Sequence, residues 1–469
     1  PMPAPASAPP RPTGAGRFTR GELVVLALVL ALALGLRVAH VLGSQASPLF
    51  DAPQMDALFH VEWARAFAGG ERFQAPPFFR APLYPWFLGT LLGLFGEGLL
   101  LPRLVQALLG TAATLLVYLS ARRAFGRAEA SVAGLLWATG WVGIFFDGEL
   151  LLETLALPLY LLGIWLSLGL ATRATPARLL VSGLAWGLSA ITRPNVLLLM
   201  PLLALWLFLR ERGARGSLRA LAAPALLAAG TLAPILPITA YNLLAGGDTV
   251  LIASQAGVNL WIGNNPASDG STAVVPGTRE DWWGGYDDAI AQAEQAEGRE
   301  LRPSEVSRHY TQRALDFVRR SPGGWALLLA HKLRLLTWNH ELGNNEEPRF
   351  LLERFSPVAF LSPLGFWLLF SLGLLGLAVT WRGAWERLPL WGFLTTYAFS
   401  VVLFFVNSRF RLPLLPVLCV YAGAGGVWLA RGALTARLLP LAGGLALVLA
   451  LAALSLDVPE DVLRLSLIH

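Results

Sequence analysis

Long apolar runs constrain the fold of this chain more than any other feature. Eleven of them approach the roughly 17–25 residues that an α-helix needs to cross about 30 Å of hydrocarbon. Hydrophobic residues make up 55% of the sequence and charged residues only 14%, which is too little charge for the surface of a soluble protein. We therefore predict an all-α polytopic membrane protein with spans near 22–43, 98–120, 129–146, 149–170, 177–192, 194–209, 218–242, 358–380, 388–406, 413–430 and 437–456.

The distribution of basic residues predicts the orientation of these spans. With the amino terminus in the cytoplasm, the inner segments hold sixteen basic and four acidic residues. Short cytoplasmic loops favour positive charge, so we expect the amino terminus inside and the carboxyl terminus outside. The first span is too long for a cleaved signal peptide, and further spans follow it. These observations predict a multi-pass protein of the cell (inner) membrane.

This topology divides the chain into five regions. They are a disordered cytoplasmic tail (1–20), a transmembrane core (21–242) that includes the first outer loop (44–97), an outer or periplasmic region (243–357), carboxy-terminal transmembrane helices (358–456) and an outer tail (457–469). Tyr, Trp and apolar residues predict interfacial helices at 56–69, 82–95 and 322–338. The stretch 247–303 is rich in Gly, Asn, Asp and Pro, which indicates turns and loop.

The polar residues that suggest chemistry all fall on the predicted outer side. The first outer loop contains the segment PLFDAPQMDALFHVEWARAFAGGERFQAPPFFRAPLYPWF, which combines carboxylates, a histidine and an arginine with many aromatic rings. Such a set at a membrane surface suits a substrate that is part lipid and part anion. No Walker or dinucleotide glycine pattern occurs in a soluble segment, and we expect no nucleic-acid partner.

Four motifs in this order resemble a known class of enzymes. They are an early aspartate in the first outer loop, the segment RAPLYPWF, a span that opens LPRLVQALLG and ends ARRAFGR, and the turn TRPN. The chain resembles the GT-C class of lipid-linked-sugar-dependent glycosyltransferases over roughly residues 20–430, and among them the protein O-mannosyltransferase and aminoarabinose transferase superfamily. The resemblance implies transfer of a sugar from a polyprenyl phosphate donor to an extracytoplasmic protein, lipid or glycan.

The resemblance implies that Asp56 is the general base for the acceptor. The family often has a glutamate directly after this aspartate, but Ala57 stands here. Asp51 is a competing candidate, and capping of the following helix is the structural alternative for Asp56. His60 lies one helical turn after Asp56, where it can orient the carboxylate, touch phosphate or bind a metal with it. We predict no certain cofactor and leave a divalent metal open.

Cations at the outer face are candidates for the donor phosphate. The resemblance points to Arg80 first and to Arg193 second, and Arg409 and Arg411 flank Phe410 in a later outer turn. Contact with lipid headgroups is the alternative for each of these arginines.

Further carboxylates and amides are candidates for the acceptor and the sugar. Asp147 and Glu149 lie at the end of a predicted span, where they can help to hold the acceptor or cap the next helix. Indole faces and amides suit carbohydrate, although the same residues also form ordinary turns. The predicted sugar-binding or acceptor-binding residues are Tyr84, Asn259, Trp261, Asn264 and Asn265.

Three other functions compete with sugar transfer to a simple acceptor. A lipid-linked glycan ligase would use the same kind of donor, so the sequence does not separate it. A flippase or transporter would place charges near the middle of its spans and often has two related halves, which are not visible here. A non-catalytic envelope assembly factor is favoured by Ala57, where the family often has a glutamate.

Overall fold

The computed structural model describes residues 16–361 and 365–434, and within these ranges the regular structure is helical. Its first half forms the predicted core and first outer loop. In chain order the helices of this half are α1 (Arg20–Ser44), α2 (Met55–Ala68), α3 (Leu83–Phe95), α4 (Leu100–Ala124), α5 (Arg127–Ala138), α6 (Trp141–Gly148), α7 (Glu153–Leu170), α8 (Pro176–Ala190), α9 (Met200–Arg215), α10 (Ser217–Ala220) and α11 (Ala222–Gly246).

The second half contains the predicted outer region and the carboxy-terminal apolar helices. Its helices are α12 (Ala256–Gly263), α13 (Trp282–Glu297), α14 (Pro303–Arg320), α15 (Pro322–Thr337), α16 (Pro348–Phe355), α17 (Phe366–Val379), α18 (Leu388–Leu403), α19 (Ser408–Arg411) and α20 (Leu414–Leu434). Helices α12 and α13 correct the prediction of turns and loop for 247–303. They form because their apolar residues pack in a small separate core with α14, around Trp261, Ala293 and Tyr310.

Five helical segments in the described part of the chain are long and apolar enough to cross a membrane. They are Arg20–Ser44, Leu100–Ala124, Glu153–Leu170, Leu218–Gly246 and Leu414–Gly432. Helices α5 and α6 form a sixth candidate that is bent by 51°, and α3, α17 and α18 are shorter apolar helices. The chain is therefore a multi-pass membrane protein by the length and composition of its helices, and the predicted count of eleven spans is not confirmed.

Two segments that are predicted as single straight spans are not continuous α-helices in the structure. The predicted span 129–146 is broken between α5 and α6. The predicted span 194–209 starts as a 3₁₀ helix at Pro194–Leu199 before α9 begins. Hydropathy depends on the apolar character of the residues and carries no information about backbone geometry. Both segments are therefore predicted as straight spans. The predicted span 437–456 and the outer tail lie outside the described residues.

Small residues allow the apolar helices to pack closely. A Cβ atom on Gly183 of α8 would lie 2.2 Å from the carbonyl oxygen of Leu227 in α11, and one on Gly376 of α17 would lie 1.8 Å from that of Tyr421 in α20. Any side chain at these positions would force the backbones apart. These glycines hold α8 close to α11 and α17 close to α20.

The three segments predicted to be interfacial helices are helical in the structure, as α2, α3 and α15, and their place at a membrane surface stays a prediction. Helix α2 packs against α3 where Gly89 meets Ala64, since a Cβ on Gly89 would lie 2.6 Å from the Ala64 carbonyl oxygen. The buried face of α2 includes Asp56, Phe59 and His60. The first outer loop is thus folded onto the bundle with its acidic residue inward.

Candidate active site

Asp56 lies between two arginines from distant parts of the chain. Its Oδ1 is 2.7 Å from Nη2 of Arg80, and its Oδ2 accepts a hydrogen bond of 2.5 Å from Nη1 of Arg409. The carboxylate is only 4% exposed. Burial by itself raises the pKa of Asp56, but the guanidinium groups of Arg80 and Arg409 outweigh burial and hold that pKa well below its usual range. Asp56 is therefore a carboxylate with both oxygens engaged.

The ion pairs continue beyond Asp56 to a second carboxylate. Nε of Arg409 lies 3.4 Å from Oε1 of Glu153, and the same oxygen accepts a short hydrogen bond from Arg193. Arg193 also donates to the hydroxyl of Tyr397 at 3.2 Å. Three arginines and two carboxylates alternate in one chain of contacts, so the cluster keeps one net positive charge.

Each member of this cluster comes from a different segment. Asp56 is in the first turn of α2, and Arg80 is in the loop that leads to α3. Glu153 is the first residue of α7, and Arg193 precedes the 3₁₀ helix. Arg409 belongs to the short helix α19, whose cap residue Asn407 accepts a hydrogen bond from the backbone of Phe410. Tertiary packing rather than local sequence thus assembles the cluster.

The capping alternative for Asp56 is not what the structure contains. Helix α2 begins at Met55, and its cap residue Gln54 makes no side-chain hydrogen bond. Asp56 is inside the helix and its carboxylate points to arginines instead of backbone amides.

His60 lies beside the cluster. Its Nδ1 is 3.1 Å from the carbonyl oxygen of Leu150, and its ring meets the edge of Tyr84 at a centroid distance of 5.0 Å. Burial and the charge of Arg80 lower the pKa of His60 to about 3, although Asp56 acts in the opposite direction. A neutral His60 adds no cation for a phosphate.

Asp56 and His60 make other contacts in this structure. Both oxygens of Asp56 face arginines, and the Nδ1 atom of His60 is used by a backbone carbonyl. Across residues 16–361 and 365–434, no group of three or more His, Cys, Asp or Glu side chains is arranged to hold a metal.

Tyr84 packs against His60 and forms a hydrogen bond within the protein. It is fully buried, and its hydroxyl donates to Oε1 of Gln106 at 2.7 Å. The amide of Gln106 in turn donates to the backbone carbonyls of Asp147 and Glu149. Tyr84 therefore fixes the turn after α6 and does not present its hydroxyl to a sugar.

Asp147 forms a separate buried ion pair. Nε of Arg37 in α1 donates to Oδ2 of Asp147 at 2.7 Å, and both side chains are buried. Gly110 in α4 makes room for this pair, because a Cβ there would lie 1.9 Å from the Asp147 oxygen. Asp147 is in α6 and does not cap α7, whose cap residue is Leu152. Arg37 was missed from the sequence, although a charge inside an apolar run is itself a signal of a buried partner.

Two small cavities, each of about 20 Å³, share Glu149 and Glu346 in their linings. The first is also lined by Arg409, and the second by Arg103. Burial and the neighbouring Glu346 raise the pKa of Glu149, and burial raises the pKa of Glu346, although Arg103 acts in the opposite direction on both. The remaining polar lining residues are Asn344, Asn345 and Ser408 in the first cavity and His40, Ser44 and Ser47 in the second. Glu346 was missed because the stretch around it has no recognisable ligand spacing.

Arg411 is directed away from the cluster formed by Arg409. It is buried, its Nη2 lies 2.5 Å from Oε1 of Glu341, and it donates to the carbonyl oxygens of Trp338 and His340. Arg411 thus holds the segment that precedes Asn344 and Asn345 of the first cavity. It does not join Arg80, Arg193 and Arg409 in the site.

The predicted sugar-binding residues of the outer region are on or next to α12. The side-chain amide of Asn264 donates to the carbonyls of Leu260 and Leu403, and that of Asn265 donates to those of Trp261 and Ile262. Both amides therefore use their donors within the protein. Trp261 packs under the guanidinium of Arg313 at 4.3 Å, and Asn259 is partly exposed on the helix.

Comparisons with known proteins find one matching family and several similar solved structures. Residues 79–241 match the family described as dolichyl-phosphate-mannose-protein mannosyltransferase. No curated protein sequence matches the chain. The structure is similar to that of the oligosaccharyltransferase from Archaeoglobus fulgidus in its apo form, with a TM-score of 0.51 at 14% identity over 92% of this chain, and to the same enzyme in complex with Zn and sulfate, with a TM-score of 0.51 at 16% identity over 92% of this chain.

This chain spans 56% of the length of the first of these structures and 52% of the second. It is also similar to ArnT from Cupriavidus metallidurans bound to undecaprenyl phosphate, with a TM-score of 0.36 at 18% identity over 88% of this chain and 78% of that one. The match to the mannosyltransferase family and the fold shared with the archaeal structures together confirm the predicted resemblance of this chain to membrane glycosyltransferases of the GT-C class.

Proposed function

We propose that this protein transfers a sugar from a polyprenyl-phosphate-linked donor to an acceptor outside the cytoplasm. The observation that carries the proposal is the chain of contacts from Arg80 through the buried Asp56, Arg409 and Glu153 to Arg193. Its surplus of positive charge suits a phosphate, and its carboxylate suits proton transfer. The family match over residues 79–241, which names a dolichyl phosphate sugar, supports the same donor chemistry.

The arginines stabilise the phosphate as it leaves. In the transfer step the bond between the anomeric carbon and the phosphate oxygen breaks, and the electron pair stays on the phosphate. Guanidinium groups that are already in place stabilise this developing negative charge without reorganisation. Arg80 and Arg409 both contact Asp56, and Arg193 contacts Glu153.

Asp56 takes the proton of the acceptor in this proposal. A carboxylate held by two guanidiniums is a weak base, so Asp56 needs to lose part of this pairing before it can act. The donor phosphate competes for Arg80 and Arg409, and its arrival moves the pKa of Asp56 back towards its usual range. The acceptor oxygen or nitrogen then bonds to the anomeric carbon while its proton passes to Asp56.

The acceptor enters through the cavity beside Arg409. Ala57, Glu149 and Glu346 all line this cavity, which puts it next to Asp56 in α2. The missing glutamate at position 57 leaves Ala57 as part of the cavity wall. We propose that Glu149 and Glu346 accept hydrogen bonds from the acceptor, whereas Asp147 stabilises α6 through Arg37.

The donor assignment can be tested on the purified full-length protein. We expect mass spectrometry of the copurified lipid to find a polyprenyl phosphate or its sugar ester, and we expect that compound to serve as donor in a transfer assay. Copurification of ordinary phospholipid alone, together with no binding of added undecaprenyl phosphate, would exclude this function.

The proposed site faces the outside of the cytoplasmic membrane, and labelling of single cysteines tests this. Cys419 is the only cysteine and is buried, so Cys419→Ala gives a background without reactive thiols. Gln295→Cys on α13 is exposed and we expect it to react with an impermeant maleimide in intact cells, whereas the exposed Arg173→Cys should react only after lysis. The reverse pattern would place the site in the cytoplasm.

A further inference from the structure

Glu153 contacts two arginines through a single oxygen atom. It is the first residue of α7 and is completely buried. Oε1 of Glu153 lies 3.4 Å from Nε of Arg409 and closer still to Nη2 of Arg193. The two guanidinium groups come from turns that are more than 200 residues apart in the sequence, yet they meet at one atom.

Other groups hold the same two arginines in place. The ring centroid of Phe410 lies 4.7 Å from Cζ of Arg193 and 5.0 Å from Cζ of Arg409. The hydroxyl of Tyr397 accepts a hydrogen bond of 3.2 Å from Arg193. Each guanidinium is therefore fixed by an aromatic face and by Glu153 together, which is more than an isolated ion pair would provide.

We propose that Glu153 is a positioning residue that keeps Arg193 and Arg409 together as a preformed pair for the phosphate of the lipid donor. Two like charges so close to each other repel, and a shared anion is needed to hold them in the empty site. A phosphate group carries several oxygens and can contact both guanidiniums at once. This inference rests on the proposed donor, and it assigns to Glu153 the spacing of the arginines and no part in the proton transfer.

The length of the Glu153 side chain, and not its charge, distinguishes a positioning residue from a simple counter-ion. Asp56 already supplies a negative charge on the other side of Arg409. An aspartate at position 153 would keep the charge of the cluster, but its side chain is one methylene shorter and cannot contact both arginines from the same backbone position. The pair would then have to be brought together by the donor itself, at the expense of affinity.

Glu153→Asp tests the proposal directly. We expect the affinity for undecaprenyl phosphate, measured on the full-length protein, to fall about tenfold, with a matching rise in the KM for the donor. The KM for the acceptor should change less than the KM for the donor, since neither Glu153 nor Arg193 lines the cavity that contains Glu149. A merely structural defect would move both constants. Unchanged donor affinity in Glu153→Asp would overturn the proposal.

Glu22 provides a matched control at the other end of the bundle. It is also buried, and it also pairs with two arginines, Arg122 and Arg127. Glu22→Asp should leave both KM values unchanged. An equal loss of donor affinity in Glu22→Asp would show that shortening any buried bridge in this bundle is harmful, and would overturn a specific role for Glu153.

A more conservative substitution tests the same proposal if Glu153→Asp does not fold. Tyr397→Phe removes only the hydroxyl that holds Arg193, and we expect it to weaken undecaprenyl phosphate binding by about threefold without a change in the acceptor KM. No change in donor affinity would contradict a preformed pair. Wild-type protein that binds no undecaprenyl phosphate would overturn the proposed function and this inference with it, whereas normal binding by every variant would overturn the inference alone.

Discussion

Asp56→Asn is expected to lower sugar transfer by about 10² to 10⁴-fold, the usual contribution of a general base. Asparagine has nearly the same size as aspartate, and its one amide oxygen can still accept a hydrogen bond from Arg80 or Arg409. Its NH2 group cannot accept a hydrogen bond from the other arginine, and the side chain cannot take a proton. The measurement is transfer by the purified variant from one donor to one acceptor, after a check that the protein is monodisperse, because the substitution leaves the buried Arg409 and the partly buried Arg80 less well neutralised.

Donor binding by the same variant should be kept or improved. In the proposed mechanism Asp56 competes with the donor phosphate for Arg80 and Arg409, since both of its oxygens are paired with them. Removal of that negative charge leaves both guanidiniums more available for undecaprenyl phosphate. A loss of transfer with unchanged or tighter donor binding would separate a catalytic role of Asp56 from a structural one.

Asp51→Asn is the control for this experiment. Asp51 is exposed and precedes α2, whereas Asp56 is buried inside it. We expect most of the transfer activity to remain in Asp51→Asn. Full activity in Asp56→Asn combined with a loss in Asp51→Asn would assign the base to the other aspartate.

The local features of this protein could be predicted from its sequence. Helices α2, α3 and α15 follow from the spacing of aromatic and apolar residues, and the sequence-based resemblance drew attention to Asp56 and Arg80 within the same loop. A run of 17 or more apolar residues is likewise visible without a structure. These predictions succeed because the physical cause lies within a few turns of the same helix or loop.

The long-range contacts could not be predicted in the same way. Arg409 and Asp56 are separated by 353 residues, and no sequence pattern links Glu153 to Arg193 or Arg409. Arg409 and Arg411 were equal candidates by sequence, yet Arg409 faces Asp56 and Arg411 faces Glu341. Only the packing of α19 against the rest of the bundle decides which of the two arginines enters the site.

Arg80→Ala and Arg409→Ala should each weaken the binding of undecaprenyl phosphate by about 10 to 100-fold. A hydrogen bond to a charged group contributes about 1.5–3 kcal/mol, and each 1.4 kcal/mol corresponds to a factor of ten in affinity. Arg193→Ala should act in the same direction. Unchanged affinity after both Arg80 and Arg193 are replaced would remove these arginines from the phosphate site.

Two controls make the effect of the arginines specific to the donor. Arg65 lies in the same outer loop, but it is exposed and pairs with Glu97, so Arg65→Ala should bind undecaprenyl phosphate normally. Glu149→Gln changes the cavity on the acceptor side, and it should raise the KM for the acceptor while donor binding stays within about twofold. Glu149→Gln could instead weaken donor binding as much as Arg409→Ala does. Glu149 and Arg409 would then bind the same substrate, and the assignment of Glu149 to the acceptor would be wrong.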